Sequence, residues 1–194
     1  MKFLRLLSNF FQQLCMKFLS ESESLTRLKK IKAAYQNLIQ SRYEPKAKSC
    51  LTCQTQGSCC TDAHFVNVHI TRLEAVAIRE SLRRFSEEKQ RQIFRRVEET
   101  VEKYDLKSCG DTFIKTFACP LFEKGIGCLV HREAKPVPCI QHACYENKKD
   151  LPPDELQTEN ENLIEHLNKK TYGKNWTWLP LPVWLEKINP FNKK

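Results

Sequence analysis

CLTCQTQGSCC, residues Cys50 to Cys60, places four cysteines within eleven residues, and four more follow at Cys119, Cys128, Cys139 and Cys144. A thiolate is a strong ligand for zinc or for iron in a cluster, and a Cys-x-x-Cys step lets two sulfurs close on one centre with little loop entropy left to lose. Cys50, Cys53, Cys59, Cys60, Cys119, Cys128, Cys139 and Cys144 are therefore the candidate metal ligands. Cys15 and Cys109 stand outside the set, as ordinary thiols.

The competing explanation for ten cysteines is a disulfide framework, which needs an export signal. The stretch MKFLRLLSNFFQQLCMKFLS begins with positive charge, but Ser8, Asn9, Gln12 and Gln13 break its apolar run and no small-x-small cleavage site follows. The expected location is thus the cytoplasm, where thiols stay reduced and clustered cysteines bind metal or act in catalysis. No apolar run of about 18 residues suggests a membrane span. The hydrophobic content of 41% in 194 residues argues for a globular fold.

The net charge of +9 is uneven. In residues 1–50, ten Lys or Arg stand against Glu21, Glu23 and Glu44, which leaves +7 there. A basic helical arm, residues 1–48, is expected ahead of a roughly neutral cysteine domain, residues 49–150, with a C-terminal helix and a Trp- and Pro-rich tail in 151–194. Such an arm suits an acidic protein partner or an anionic surface, and equally a solvated helix face. Within it Phe3, Leu7, Phe10, Leu14 and Phe18 recur at helical spacing. That stripe can meet a membrane interface peripherally or pack on protein. Ser20 and Glu23 then form a capping-box pattern before a second helix with Leu25, Leu28, Ile31, Tyr35, Leu38 and Ile39 on one face, closed by Pro45.

Val66, Val68 and Ile70 alternate as on a short strand. Thr71 and Glu74 supply another capping box, for a helix carrying Leu73, Ala77, Leu82 and Phe85; Ser86 restarts one with Ile93, Phe94, Val97, Val101 and Tyr104 inward. Acids are interspersed with the bases on both outer faces, so neither reads as a nucleic-acid groove. The second cysteine group, ACPLFEKGIGCLVHREAKPVPCIQHACY, is punctuated by Pro120, Gly125, Gly127, Pro136 and Pro138 into tight loops in which little helix is expected. Leu156, Leu163 and Leu167 predict one more helix, and the tail with Trp176, Trp178, Pro180, Pro182 and Trp184 is expected to be an extended strap. The fold class expected is mainly α, with a loop-rich cysteine-cluster core and little β.

The order Cys50-x-x-Cys53, Cys59-Cys60, a strand, Glu74 on a helix, Cys119-Pro120-Leu121-Phe122, Cys128 and Pro136-x-x-Cys139 resembles the YkgJ-type cysteine-cluster proteins, described as zinc- or iron-chelating domains. The resemblance spans about residues 50 to 145, and Cys144 is similar to a further cysteine in one subgroup. Five residues separate Cys53 from the Cys59-Cys60 pair where the family pattern has two, and Gly57 is placed to bulge that loop. His131, Lys135 and Ile140 stand where the family tends to have Tyr, Arg and Arg, which makes His131 or His142 an added ligand candidate. Relatives that methylate lysines on flagellin are thought to use an iron-sulfur centre. The resemblance thus implies an iron-sulfur cluster, 4Fe-4S favoured, or zinc. Three functions stay open: a metal-binding protein held together by its centre, an iron-sulfur-dependent protein- or peptide-modifying enzyme using Glu74 or a histidine to move protons, and a metal carrier or sensor.

Overall fold

A computed structural model describes residues 18–49, 53–61, 66–107, 110–173 and 177–192. The apolar stripe from Phe3 to Leu14, and Cys15, Cys50, Cys109 and Trp176, lie outside the described residues. Within them the chain is mainly helical. In chain order the elements are α1 (Glu21–Arg42), β1 (Ala47–Lys48), α2 (Ser58–Thr61), β2 (His69–Ile70), α3 (Arg72–Leu82), α4 (Glu87–Lys103), β3 (Phe122–Glu123), β4 (Gly127–Cys128), α5 (Val137–Gln141), β5 (Cys144–Tyr145), α6 (Asp154–Tyr172), β6 (Leu179–Pro180) and α7 (Leu181–Lys187). The strands form three two-stranded antiparallel pairs, β1 with β5, β2 with β6 and β3 with β4. No helix among the described residues is long and apolar enough to cross a membrane.

Local chemistry starts the helices. At α3 the Thr71 hydroxyl accepts from Glu74 N–H at 3.3 Å while Thr71 N–H donates back to Glu74 Oε2 at 3.1 Å, a complete capping box. Ser20 caps α1 through Glu23 N–H, and Ser86 caps α4 through Lys89 N–H.

Two apolar clusters organise the fold. The first gathers Ile78 and Leu82 of α3, Ile93, Phe94, Val97 and Val101 of α4, and Leu181, Val183, Trp184 and Leu185 of α7, together with Phe117, Leu121, Leu129 and Val130 from the cysteine loops. The second joins Leu28, Tyr35 and Ile39 of α1 to Val137 and Ile140 of α5 and to Ile164 and Leu167 of α6, with Leu73 of α3. Helix α3 is the shared wall: Leu73 faces one cluster and Ile78 and Leu82 the other.

Several expectations change. The tail is a strand pairing Leu179 with Ile70 followed by a helix, not an extended strap, because Pro182 falls in the first turn of α7, where its missing N–H costs nothing. Leu163 is exposed, and the inner face of α6 runs through Ile164, Leu167 and Asn168 instead. In α1 the buried stripe includes Lys32, whereas Leu25, Ile31 and Leu38 are half-buried. The strand around Val68 shrinks to His69–Ile70. The cysteine loops also contain a five-residue helix, α5, again opened by a proline near its start.

Candidate metal centre

Cys119 stands in the turn Cys-Pro-Leu-Phe that leads into β3, and the neighbouring Phe117 and Leu121 are anchored in the first cluster. Cys128 lies on β4, opposite Phe122, beside the buried Leu129 and Val130. Cys139 lies on α5 between Val137 and Ile140, which belong to the second cluster. The cysteine loops therefore span the seam between the two apolar clusters. The first cysteine group reaches them through α2: Cys119 N–H donates to Cys60 C=O at 2.7 Å, and Phe122 covers Gly57. A Cβ on Gly57 would stand 1.9 Å from Phe122 Cζ, and its φ of +83° favours glycine. The bulge expected at Gly57 is thus a left-handed residue on which the ring rests.

Four thiols from these four segments sense one another. Burial pushes Cys60 up to about 12, reinforced by Cys119, Cys59 and Cys128. Cys119 is likewise pushed up to about 12 by burial and then by Cys139, while N–H groups of Leu121 and Phe122 favour its thiolate. Cys139 rises to about 12 from burial and then Cys128, opposed by Lys135. Cys128 rises through burial, against the N–H of Val130 and the charges of Lys135 and Arg84. Backbone N–H donation two and three residues past a cysteine is what a loop does when it is shaped to carry a thiolate. The donor set suits a thiophilic ion: soft sulfur ligands, half-buried, with cations nearby.

Placement of the other candidates differs. Cys59 adjoins Cys60 on α2, and Cys53 and Cys144 are exposed. Cys144 pairs in β5 with Lys48. His131 and His142 are exposed, and partial burial followed by the Lys135 charge holds both imidazoles below their ordinary value. Among the described residues no three His, Cys, Asp or Glu side chains stand close enough together to hold a metal ion. The thiols are gathered at the seam but not drawn to ligating distance. Arg84 and Lys135 were not singled out from sequence as neighbours of the thiols; Arg84 lies 45 residues before Leu129, to whose C=O it donates, a pairing without local signature.

Glu74 is buried, and only its Oε2 is hydrogen-bonded, to Thr71. Beyond its capping bonds, Oε1 stands 2.9 Å from Lys32 Nζ, an ion pair with both side chains almost fully buried. His69 stacks on Phe113 at 4.1 Å and bonds to Thr112 Oγ1 at 3.1 Å.

No protein-family model, no curated protein and no solved structure matches the chain.

Proposed function

We propose that this chain is a metal-binding protein whose centre, an iron-sulfur cluster or zinc, is held by Cys60, Cys119, Cys128 and Cys139, with Cys59 beside them. What supports this reading is that four separate cysteine-bearing segments come to one seam, with Cys119 N–H bonded to Cys60 C=O and backbone N–H donors supplied to Cys119 and Cys128, although no three of the thiols stand within ligating distance. An apolar core has no use for that arrangement. When bound, the metal supplies a cationic anchor that ties the first cysteine loop to the second and links the two apolar clusters. The residues' own part is to lose protons: thiols held neutral by burial become thiolates as the ion enters, so loading releases protons and weakens as pH falls.

A proton-moving role for Glu74 is not favoured by its surroundings, since the side chain is buried, with Oε2 bonded to Thr71 and Oε1 facing the Lys32 ammonium at 2.9 Å. The structural reading is therefore placed before the modifying-enzyme reading.

Elemental analysis and visible absorption of protein purified without oxygen test the proposal. Stoichiometric zinc without colour, or iron with equimolar acid-labile sulfide and a brown chromophore, supports it. Cys119→Ser or Cys139→Ser should then lose most of the metal. A metal-free wild-type protein that stays empty when titrated with zinc and when reconstituted with iron and sulfide overturns it.

A further inference from the structure

The two cysteine segments meet as two tight turns. In the first, Cys60 N–H donates to Gly57 C=O at 2.9 Å; in the second, Phe122 N–H donates to Cys119 C=O at 3.2 Å. The turns touch at both ends. At one end Cys119 N–H donates to Cys60 C=O at 2.7 Å, and at the other the Phe122 ring lies against Gly57. Contact at two points fixes register, so Cys60 and Cys119 are held opposite each other by main chain, without help from a bound ion.

A backbone hydrogen bond between two opposed residues sets their Cα atoms about 5.5 Å apart, as in a hydrogen-bonded antiparallel pair. A disulfide spans about 4.4–6.8 Å between Cα atoms. Both residues are free, half-exposed thiols. Cys60 belongs to α2, which has no buried residue, so a small reagent reaches it from solvent. The other thiols of the second segment are tied elsewhere: Cys128 pairs with Phe122 across its hairpin, and Cys139 follows Pro138 in α5. Among the described residues no three ligating side chains stand together, whereas these two cysteines are joined through their own backbone.

We propose that Cys60 and Cys119 form a reversible disulfide, and that this bond and the metal are alternative ways of closing the seam. The bond rests on the two turns; the alternation rests also on the metal-binding reading above. The oxidant is a small-molecule disulfide. The Cys60 thiolate attacks one of its sulfurs, that S–S bond breaks and one thiolate leaves; the Cys119 thiolate then attacks Cys60 Sγ and displaces the second. Two protein thiols are oxidised, the external disulfide is reduced to two thiols, and the protons of Cys60 and Cys119 pass to the departing thiolates. Burial keeps both protein thiols largely protonated, so the exchange takes minutes to hours. Once formed, the bond removes two of the four proposed ligands, since the thiolate is the form that binds metal.

Metal-stripped wild-type protein is incubated with oxidised glutathione, in native buffer and in denaturant, then alkylated and digested, and its links are mapped by fragmentation mass spectrometry. In native buffer Cys60–Cys119 should exceed every other link by about 10-fold or more, a preference lost in denaturant and a bond reversed by dithiothreitol. Cys59→Ser should keep the link. A native map led by another pair, Cys59–Cys60 included, or one equal to the denatured mixture, overturns the bond. Reduced and oxidised protein are then titrated with Co2+ without oxygen, and thiolate-to-cobalt absorption is expected in the reduced form alone. Equal absorption in both forms overturns the alternation. No absorption in either overturns the metal reading and the alternation with it, while the bond is judged by the peptide map.

Discussion

Residues 53–61 and residues 117–140 both carry cysteines, yet they are built on different principles. The second segment is nailed into apolar packing by Phe117, Leu121, Leu129, Val130, Val137 and Ile140, each buried. The first has no buried residue in its helix α2. It is attached by the Cys119-to-Cys60 backbone bond and by the Phe122 ring on Gly57. One half of the candidate centre is therefore positioned by the core whether or not metal is present, while the other half depends on a few contacts and, in our reading, on the metal. The difference teaches that stability and metal affinity should separate when the two segments are perturbed in turn.

The largest effect is expected at Phe117, which is fully buried and whose N–H donates to Val66 C=O at 2.9 Å. Phe117→Ala should lower unfolding free energy by about 3–5 kcal/mol, with or without metal, by chemical denaturation. A loss seen only in the metal-free protein would erase the distinction between the segments. Gly57→Ala comes next, since it forces a strained φ and a clash with Phe122. It should cost about 1–3 kcal/mol locally, with faster amide exchange in residues 53–61 and weaker metal retention, while exchange in α1 and α6 stays slow.

Alkaline pH sharpens the contrast further. Cys60, Cys119 and Cys139 have ordinary values near 9 and are raised in the fold to about 12, so the folded state binds protons that the unfolded state gives up. Their contribution is complete below about 9 and is lost as pH climbs from about 9 to about 12. Melting temperatures of metal-free protein should fall across that window, and those of metal-loaded protein should fall less. The smallest effect is expected at Thr55, an exposed side chain whose hydroxyl reaches Ser58 Oγ at 3.5 Å. Thr55→Ala should change stability by about 0.5 kcal/mol or less; a larger loss would mean that the first segment carries more structure than its contacts show.

What could be read from the sequence was what local chemistry decides. The Thr71–Glu74 capping box and the Ser86 cap each require only residues three apart, and both helices begin where those residues stand. The cysteine spacing and the bulge at Gly57 were legible for the same reason. The pairing of Lys32 with Glu74 was not, because a lysine in an apolar stripe ordinarily extends its amine to water, and its partner lies 42 residues away on another helix. Nor was α7: two prolines flanking Leu181 read as extended chain when helix starts are not considered, although a proline in the first turn is compatible with a helix. Which thiols come near one another is a tertiary matter, since Cys60 and Cys139 stand on segments 79 residues apart in the chain.

The pairing of β2 with β6 and the insertion of Trp184 and Leu185 beside Phe94 set an order of events during synthesis. Helices α3 and α4 leave the ribosome long before residues 181–185, so their inner faces wait uncovered until that late segment arrives. A nascent chain halted before Leu181 would present Ile78, Leu82, Ile93 and Phe94 without their cover and become a substrate for chaperones, whatever the state of its cysteines.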